Sequence, residues 1–280
     1  VRLITHYDAD GVTSAAILSK AFMRKGIDFQ LQIVKQLTRN SLRTLESSEG
    51  EVILFADLGS GQLNLLNSLG ILDTNRVFVL DHHYPVNLSH PNLVHINSML
   101  LGETYASGSI LSFLFAHNLD RKNVDMIDLA LVGAVGDSLD EKWELRGLSR
   151  KILEWGVKTG KVKVTKGLRL YGRYTRPIHK ALCLSMDPYI PGISGSESNA
   201  VQLLAELGIP VKTNGKWRFL KDLTIEEQRR LASAIIVERL KGRYEYPEDI
   251  FGEVYTISGR KDELSDAREF AILPSHLHSD

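Results

Sequence analysis

Val77-Phe78-Val79-Leu80-Asp81-His82-His83 decides how the chain reads. Four apolar residues rich in β-formers run straight into an acid and two histidines. A short apolar run of this kind is the signature of a strand buried on both faces. In an open α/β sheet, ligands gather just past the carboxyl ends of such strands. One strand thus delivers a carboxylate and two imidazoles to the place where these sheets do chemistry. A surface turn that happens to hold two histidines is the competing reading, and so short a motif does not separate the two by itself.

The same alternation extends to either side. Residues 2–6 read as a first strand, leading into His6-Tyr7-Asp8-Ala9-Asp10-Gly11. A helix follows from Thr13, apolar at Ala15, Ala16, Leu18 and Phe22. Phe29 to Val34 reads as a second strand and Ser41 to Leu45 as a helix. Val52 to Ala56 is a third buried strand ending at Asp57. Leu63 to Leu69 is a short helix, Arg76 to Leu80 the fourth strand, and Leu93 to Ile96 a candidate fifth. Strands alternating with helices predict the α/β class, a parallel sheet flanked by helices.

From Ser107 the character turns helical. Ser107-Gly108-Ser109 opens a helix to about His117. Asp125 to Val135 is a very apolar helix that ends at Gly136-Asp137, and Ser149, a candidate cap, opens an amphipathic one to Val157. Lys161 to Lys166 alternates valine and lysine, as a solvent-facing strand does. Residues 168–195 read as a partly helical connector. Next comes a helix to about Leu207, capped at Ser194 with Glu197 at capping-box spacing, or at Ser196. Thr224 with Glu227 repeats that spacing before a helix to about Leu240. The division this suggests is 1–145 catalytic, 146–195 connector, 196–265 a small mainly helical region, and 266–280 the truncated start of a C-terminal substrate-binding domain.

Composition narrows the classes. The 280 residues are 43% hydrophobic and 24% charged, which suits a soluble globular protein of one large or two ordinary domains. Formal net charge is zero, so any nucleic-acid surface must be a local patch. A lone cysteine, Cys183, excludes a disulfide framework within the chain and fits a reducing cytoplasm. No signal peptide and no membrane-length apolar span is evident. The start at Val1 without methionine, and the end at His276-Leu277-His278-Ser279-Asp280, suggest a fragment or a truncated gene product, with His276 and His278 read as tail.

Three of the first four strands end in acids or histidines: His6, Asp8 and Asp10, then Asp57, then Asp81, His82 and His83. Asp137 closes an apolar helix. Singly, each has an ordinary explanation: a turn at Asp10-Gly11, a helix cap at Asp57, a surface acid at Asp137. Together, carboxylates gathered at a buried sheet repel one another and are costly to desolvate unless a cation compensates. Mixed oxygen and imidazole donors without thiolate favour Mn²⁺, with Mg²⁺, Fe²⁺ or Co²⁺ as other choices. Two such ions roughly 3.5–4 Å apart clamp the attacking and leaving oxygens of a phosphoryl displacement.

The order His6-x-Asp8-x-Asp10-Gly11, Asp57, Asp81-His82-His83, Gly136-Asp137 resembles the four motifs of the DHH phosphoesterase superfamily. The match covers residues 1 to about 140. Further on, Leu145-Arg146-Gly147-Leu148-Ser149, Arg176-Pro177-Ile178-His179-Lys180, Ile190-Pro191-Gly192-Ile193-Ser194-Gly195 and Asp266-Ala267-Arg268-Glu269-Phe270 resemble the archaeal RecJ-like members, which include a nuclease associated with the GINS replication complex. The resemblance implies a two-metal, Mn²⁺-dependent exonuclease of single-stranded DNA or RNA that uses an activated hydroxide. By the same resemblance His6, Asp8, Asp10, Asp57, His82 and Asp137 hold metal, with Asp57 bridging. His83 faces the scissile phosphate and Asp81 orients an imidazole. The helix start at Ser107 and Gly108 offers N–H groups to an anion, although a plain cap explains Ser107 as well.

Arg169, Arg173, Arg176 and Lys180 form a basic patch able to track a strand, or a solvated face. Residues 190–195 resemble half of a helix-hairpin-helix, or form a loop before a cap. Family members carry a glycine-rich motif in a second domain that grips substrate, and none is present here. The rival readings are therefore a replication-complex binding module without catalysis and a hydrolase of small nucleotides.

Overall fold

The computed structural model describes residues 1–46 and 49–276, so the tail position His278 lies outside the described residues. The chain divides into two compact units. One comprises Val1–Glu141, Leu145–Val162 and Ala271–Asp280; the other comprises Lys142–Glu144 and Lys163–Phe270.

In the first unit, β1 (Arg2–His6), β2 (Gln30–Val34), β3 (Val52–Ala56), β4 (Arg76–Asp81) and β5 (Leu93–Asn97) make one sheet in the order β2-β1-β3-β4-β5. Every pairing is parallel; Leu3 lies beside Leu54, and Phe55 beside Val79. Alternate side chains serve opposite faces. Leu3, Leu54 and Leu80 pack with Leu18 and Phe22 of α1 (Ala9–Lys25) and Leu111 of α5 (Gly108–Leu119). Ile4, Ile53, Phe55, Val77 and Val79 pack with Leu42 of α2 (Arg39–Glu46), Leu63 and Leu66 of α3 (Leu63–Ser68), and Ile71 and Leu72 of α4 (Ile71–Thr74). Cover on both faces explains why the central strands read as unbroken apolar runs. Each fully buried Leu, Ile or Val contributes about 1.5–3 kcal/mol relative to exposure.

The chain runs from β1 outward to β2, then returns past β1 to β3. The order therefore reverses between β1 and β3, and a crevice opens at their carboxyl ends. Those ends carry His6 and Asp57. Over this sheet, α6 (Ile127–Gly136) packs on α1 and α5, and α7 (Gly147–Lys158) packs on α6.

Two expectations need correction here. The first helix begins at Ala9, not Thr13, because Asp8 caps it and Asp10-Gly11 form its first turn rather than a loop. Gly11 is required there: a Cβ would stand 2.2 Å from the His6 carbonyl oxygen. Ser149 is inside α7, not its cap; its hydroxyl donates to the Tyr105 carbonyl at 2.8 Å.

In the second unit, β6 (Val162–Leu168) leads to α8 (Ile178–Cys183) and α9 (Glu197–Glu206). The hairpin of β7 (Lys212–Thr213) and β8 (Lys216–Trp217) is followed by α10 (Ile225–Lys241), β9 (Phe251–Ile257) and the first residues of α11 (Ala267–His276), which from Ala271 belongs to the first unit. The lysine-valine stretch does form β6, and its partner is β9. Leu182, Ile190, Leu204, Leu220, Leu231 and Ile250 join in one core. Of the two candidate caps for α9, Ser196 caps the helix by accepting from the Asn199 N–H. Ser194 instead ties the preceding loop, accepting from the Ile190 N–H and donating to the Ser185 carbonyl. The Thr224–Glu227 capping box is present as expected. Arg169 leaves the expected basic patch altogether: it is fully buried and ion-paired with Asp187 and Asp249.

Candidate metal centre

The site is assembled by strand ends and helix starts. His6 ends β1, and Asp8 caps α1 by accepting from the Gly11 N–H at 2.9 Å. Asp10, one residue into the helix, is buried. Its two oxygens accept from the backbone N–H groups of Gly108 (2.6 Å) and Ser109 (3.0 Å) in the first turn of α5. A carboxylate there meets the positive end of the helix dipole. Close approach sets the residue types: at Gly108 a Cβ would come within 2.5 Å of the Asp57 Cβ.

Asp57 follows β3 in the left-handed region, at φ 63°, which acids tolerate better than most residues. That backbone turns a buried carboxylate between two sets of donors. Its Oδ2 lies 3.7 Å from His6 Nδ1, which is itself 2.8 Å from Asp8 Oδ2. Its Oδ1 lies 3.2 Å from His82 Nε2. The same His82 nitrogen is 3.7 Å from Asp10 Oδ2 and 3.6 Å from Asp137 Oδ2, at the end of α6.

Asp81 ends β4 and is completely buried. Its Oδ2 accepts from the Ser60 N–H (2.8 Å). Its Oδ1 accepts from the His82 and His83 N–H groups and lies 2.7 Å from His83 Nδ1. Ser60 and Asn97 support this from behind. Asn97 Nδ2 donates to both Ser60 Oγ and the His83 carbonyl, each at 2.8 Å, while Ser60 Oγ lies 2.8 Å from His95 Nε2. Ser60 Oγ and His95 Nε2 share a hydrogen bond whose donor depends on the His95 tautomer. Burial lowers the His95 pKa.

The electrostatics are those of buried acids crowded together. Burial, and then the charge of Asp10, pushes Asp57 well above the usual carboxylate range. The same two causes raise Asp137 to about 6. His6 is raised to about 10 by the Asp57 and Asp8 carboxylates. Burial works against ionised Asp8, yet His6 and the Gly11 N–H hold it below its ordinary value. Burial also opposes ionised Asp81, but His83 and the backbone N–H groups outweigh it and hold it at about 2. Asp81 in turn raises His83.

These residues fit divalent ions. Three donor sets have all their atoms within 4.8 Å of one another: His6, Asp8 and Asp57; Asp10, His82 and Asp137; and Asp57, Asp81, His82 and His83. Two buried atoms inside them, His6 Nδ1 and Asp57 Oδ2, lie near charged neighbours but make no hydrogen bond of good angle. A buried acceptor without a donor is costly unless something else meets it. The donors are oxygen and imidazole nitrogen, the chemistry of Mn²⁺ and Mg²⁺ sites.

All eight residues expected at the site from His6 to Asp137 converge. Of the other four, Gly108 stands against Asp10 and Asp57 as backbone support. Ser107 is buried, caps α5 through Ile110, and bonds Ser109 Oγ at 2.8 Å, while the Gly108 N–H is taken by Asp10. The anion contact expected of this pair is replaced by the protein's own carboxylate. Arg173 and Arg176 belong to the second unit. Nearby Lys180 is paired with Glu197. Ser60, Asn97 and Ser109 went unread. Asn97 had a usable signal, since it ends β5 in register with Asp81.

Comparison with known proteins gives two domain matches: the DHH family, N-terminal domain, over residues 1–134, and the DHH-CID domain over residues 170–248. A protein of Methanocaldococcus jannaschii described as uncharacterized is 32% identical over 248 residues, which is 84% of this chain and 53% of that protein. The chain thus spans about half the length of that relative. CDC45 from Entamoeba histolytica is similar in structure, with TM-score 0.73 at 15% identity, covering 100% of this chain and 60% of that one. This likeness concerns the fold. RecJ from Thermus thermophilus in complex with Mn²⁺ aligns at TM-score 0.42 and 20% identity, over 86% of this chain and 35% of that one.

Proposed function

The chain belongs to the DHH superfamily, and from that premise we propose that it is a metal-dependent phosphodiesterase, an exonuclease of single-stranded DNA or RNA. One observation carries the reading: the two oxygens of buried Asp57 face different donor sets, Oδ2 towards His6 and Oδ1 towards His82. A carboxylate so placed suits a bridge between two ions. His6, Asp8 and Asp57 would hold one, and Asp10, His82, Asp137 and Asp57 the other, with Mn²⁺ preferred and Mg²⁺ accepted. When bound, such ions polarise a phosphate and lower the pKa of water.

The chain's own residues do the rest. Asp81 accepts from His83 Nδ1–H and favours the protonated ring. The Nε2–H is then left to donate to a scissile phosphate and steady its developing charge. The DHH fold places these groups on strand ends, which rigid neighbours support. Residues 1–145 would form the catalytic part and 146–195 the connector. Residues 196–265 and the segment from 266 would serve substrate or partner contacts. Arg173 and Arg176 remain candidates for a nucleic-acid backbone, and a GINS-type replication complex is the proposed partner. Among the described residues no helix is long and apolar enough to cross a membrane; a cytoplasmic setting is part of the proposal.

The test is hydrolysis of 5′-labelled and 3′-labelled single-stranded oligonucleotides with Mn²⁺, with and without chelator. Metal-dependent mononucleotide release, lost in Asp57→Ala and His82→Ala, is the expected result. Metal binding without cleavage of any phosphodiester would favour the rival, a replication-complex binding module. The complete donor set weighs against that rival, because a scaffold needs no metal ligands.

A further inference from the structure

Beside the acids lies a hollow of about 400 Å³, wholly within the first unit, whose lining includes His6, Asp57, His83, Lys35, Gln36 and Tyr84. That size falls in the range of about 300–1,000 Å³ typical of small-ligand sites. Tyr84 is 82% exposed, more than any other large hydrophobic side chain among the described residues. Its backbone is nevertheless pinned on both sides. The His83 carbonyl before it accepts from Asn97 Nδ2, and two residues later the Val86 N–H donates to the Ser60 carbonyl at 2.9 Å. An aromatic ring held out to solvent on a fixed backbone loses little entropy when a flat ligand stacks on it. Lys35, after β2, places its ammonium 5.8 Å from the centre of the Tyr7 ring and has no ion-pair partner among the described residues. A flat face, a cation with no ion-pair partner among the described residues and a polar amide around one hollow match a nucleoside phosphate better than a peptide.

Resting on the reading above, we propose that this hollow receives the terminal nucleoside of a single strand, with its base stacked on Tyr84. Stacking on an aromatic side chain tolerates any base, because every base has a π-face. The site would therefore grip the end of a strand without reading its sequence.

The experiment compares two oligonucleotides under Mn²⁺, one ordinary and one abasic at its terminal nucleoside, in kcat and KM. The wild-type chain should show a KM about ten-fold lower for the ordinary strand. Tyr84→Ala should erase that difference, and Tyr84→Phe should restore it, since the ring and not the hydroxyl carries the stack. A ten-fold difference that survives Tyr84→Ala would overturn the base platform and leave the phosphodiesterase reading intact. Wild-type protein that cleaves neither strand would overturn that reading, and the nucleoside site with it.

Discussion

His83 Nδ1 lies 2.7 Å from Asp81 Oδ1, joining a half-exposed imidazole to a carboxylate with no exposure at all. The pair divides two tasks. Asp81 is bound into the fold by the backbone N–H groups of Ser60, His82 and His83, whereas His83 presents its outer edge to solvent. Stability and activity should therefore separate on substitution. His83→Ala takes one hydrogen bond from Asp81 and leaves its backbone partners, so it should cost about 0.5–1.5 kcal/mol, less than a change at Asp81, and lower phosphodiester hydrolysis by about 10²–10⁴-fold. Asp81→Asn turns a donor towards a backbone donor and should cost about 1–3 kcal/mol as well as activity. Thermal unfolding beside hydrolysis rates of each variant checks both. Equal losses of stability in the two would remove the division.

Metal binding should release protons, and the metal-free protein should lose stability as pH rises. Both follow from shifts of one sign. Asp137 is raised to about 6 from an ordinary 3.8, so its favourable protonation is fully present below about 3.8 and is lost as pH climbs through 6. His6 is raised to about 10 from 6.5; its contribution is complete below 6.5 and disappears as pH climbs through 10. A bound cation replaces those protons. Calorimetric titration of chelator-treated protein with Mn²⁺ at pH 7, in two buffers of different ionisation enthalpy, should report release of about one to two protons. Affinity should fall steeply below pH 6. Binding with no proton release would mean that His6 is not a ligand.

Gly108→Ala is the substitution that should damage the centre without touching a donor. The added Cβ meets the Asp57 Cβ at 2.5 Å and its Oδ1 at 2.8 Å, so either α5 or the Asp57 loop must move. Overpacking of this kind costs about 1–3 kcal/mol. Because Gly108 also supplies the N–H that holds Asp10, the movement should weaken Mn²⁺ binding along with stability. Chemical denaturation and metal titration of the variant measure the two effects. Full metal affinity in a folded Gly108→Ala protein would show that Asp57 and Asp10 adjust independently.

The site was legible in the sequence to the extent that strand ends announce themselves. His6, Asp57 and Asp81 each follow an apolar run, and His82 and His83 come with Asp81. What was less legible depends on partners distant in the chain. Asp10 was named as a ligand only through the resemblance, and its own surroundings read as an Asp-Gly turn, because the Gly108 and Ser109 N–H groups that hold it come from α5, almost a hundred residues later. Ser107 and Gly108 read as an anion site for the same reason: a helix start is one, but the anion here is the chain's own Asp10. In the second unit, β9 lacks a clean alternation and its partner β6 lies far upstream, so Phe251–Ile257 went unassigned although Val254-Tyr255-Thr256-Ile257 is rich in β-formers. Arg169 read as a surface charge because its acids, Asp187 and Asp249, are likewise distant in sequence.

The capping box of α10 carries more than a cap. Glu227 accepts from the Thr224 N–H at 2.8 Å, and its two oxygens each meet one nitrogen of Arg218 at 2.7 Å. One carboxylate thus fastens the helix start to Arg218, the residue that follows β8, through a two-point contact that fixes direction as well as distance. Arg218 first, and then the Thr224 N–H, hold Glu227 at about 2 against an ordinary 4.5, while burial opposes them. A depressed carboxylate pKa stabilises the fold above 4.5, and that contribution is lost as pH falls through 2. Glu227→Gln is expected to cost about 1–3 kcal/mol at pH 7. The cost should shrink as pH falls from 4.5 towards 2, where the wild-type carboxyl is itself neutral. Denaturation of both proteins at pH 7 and pH 3 tests this. A difference that stays constant between the two would mean that the cap and not the ion pair holds the helix.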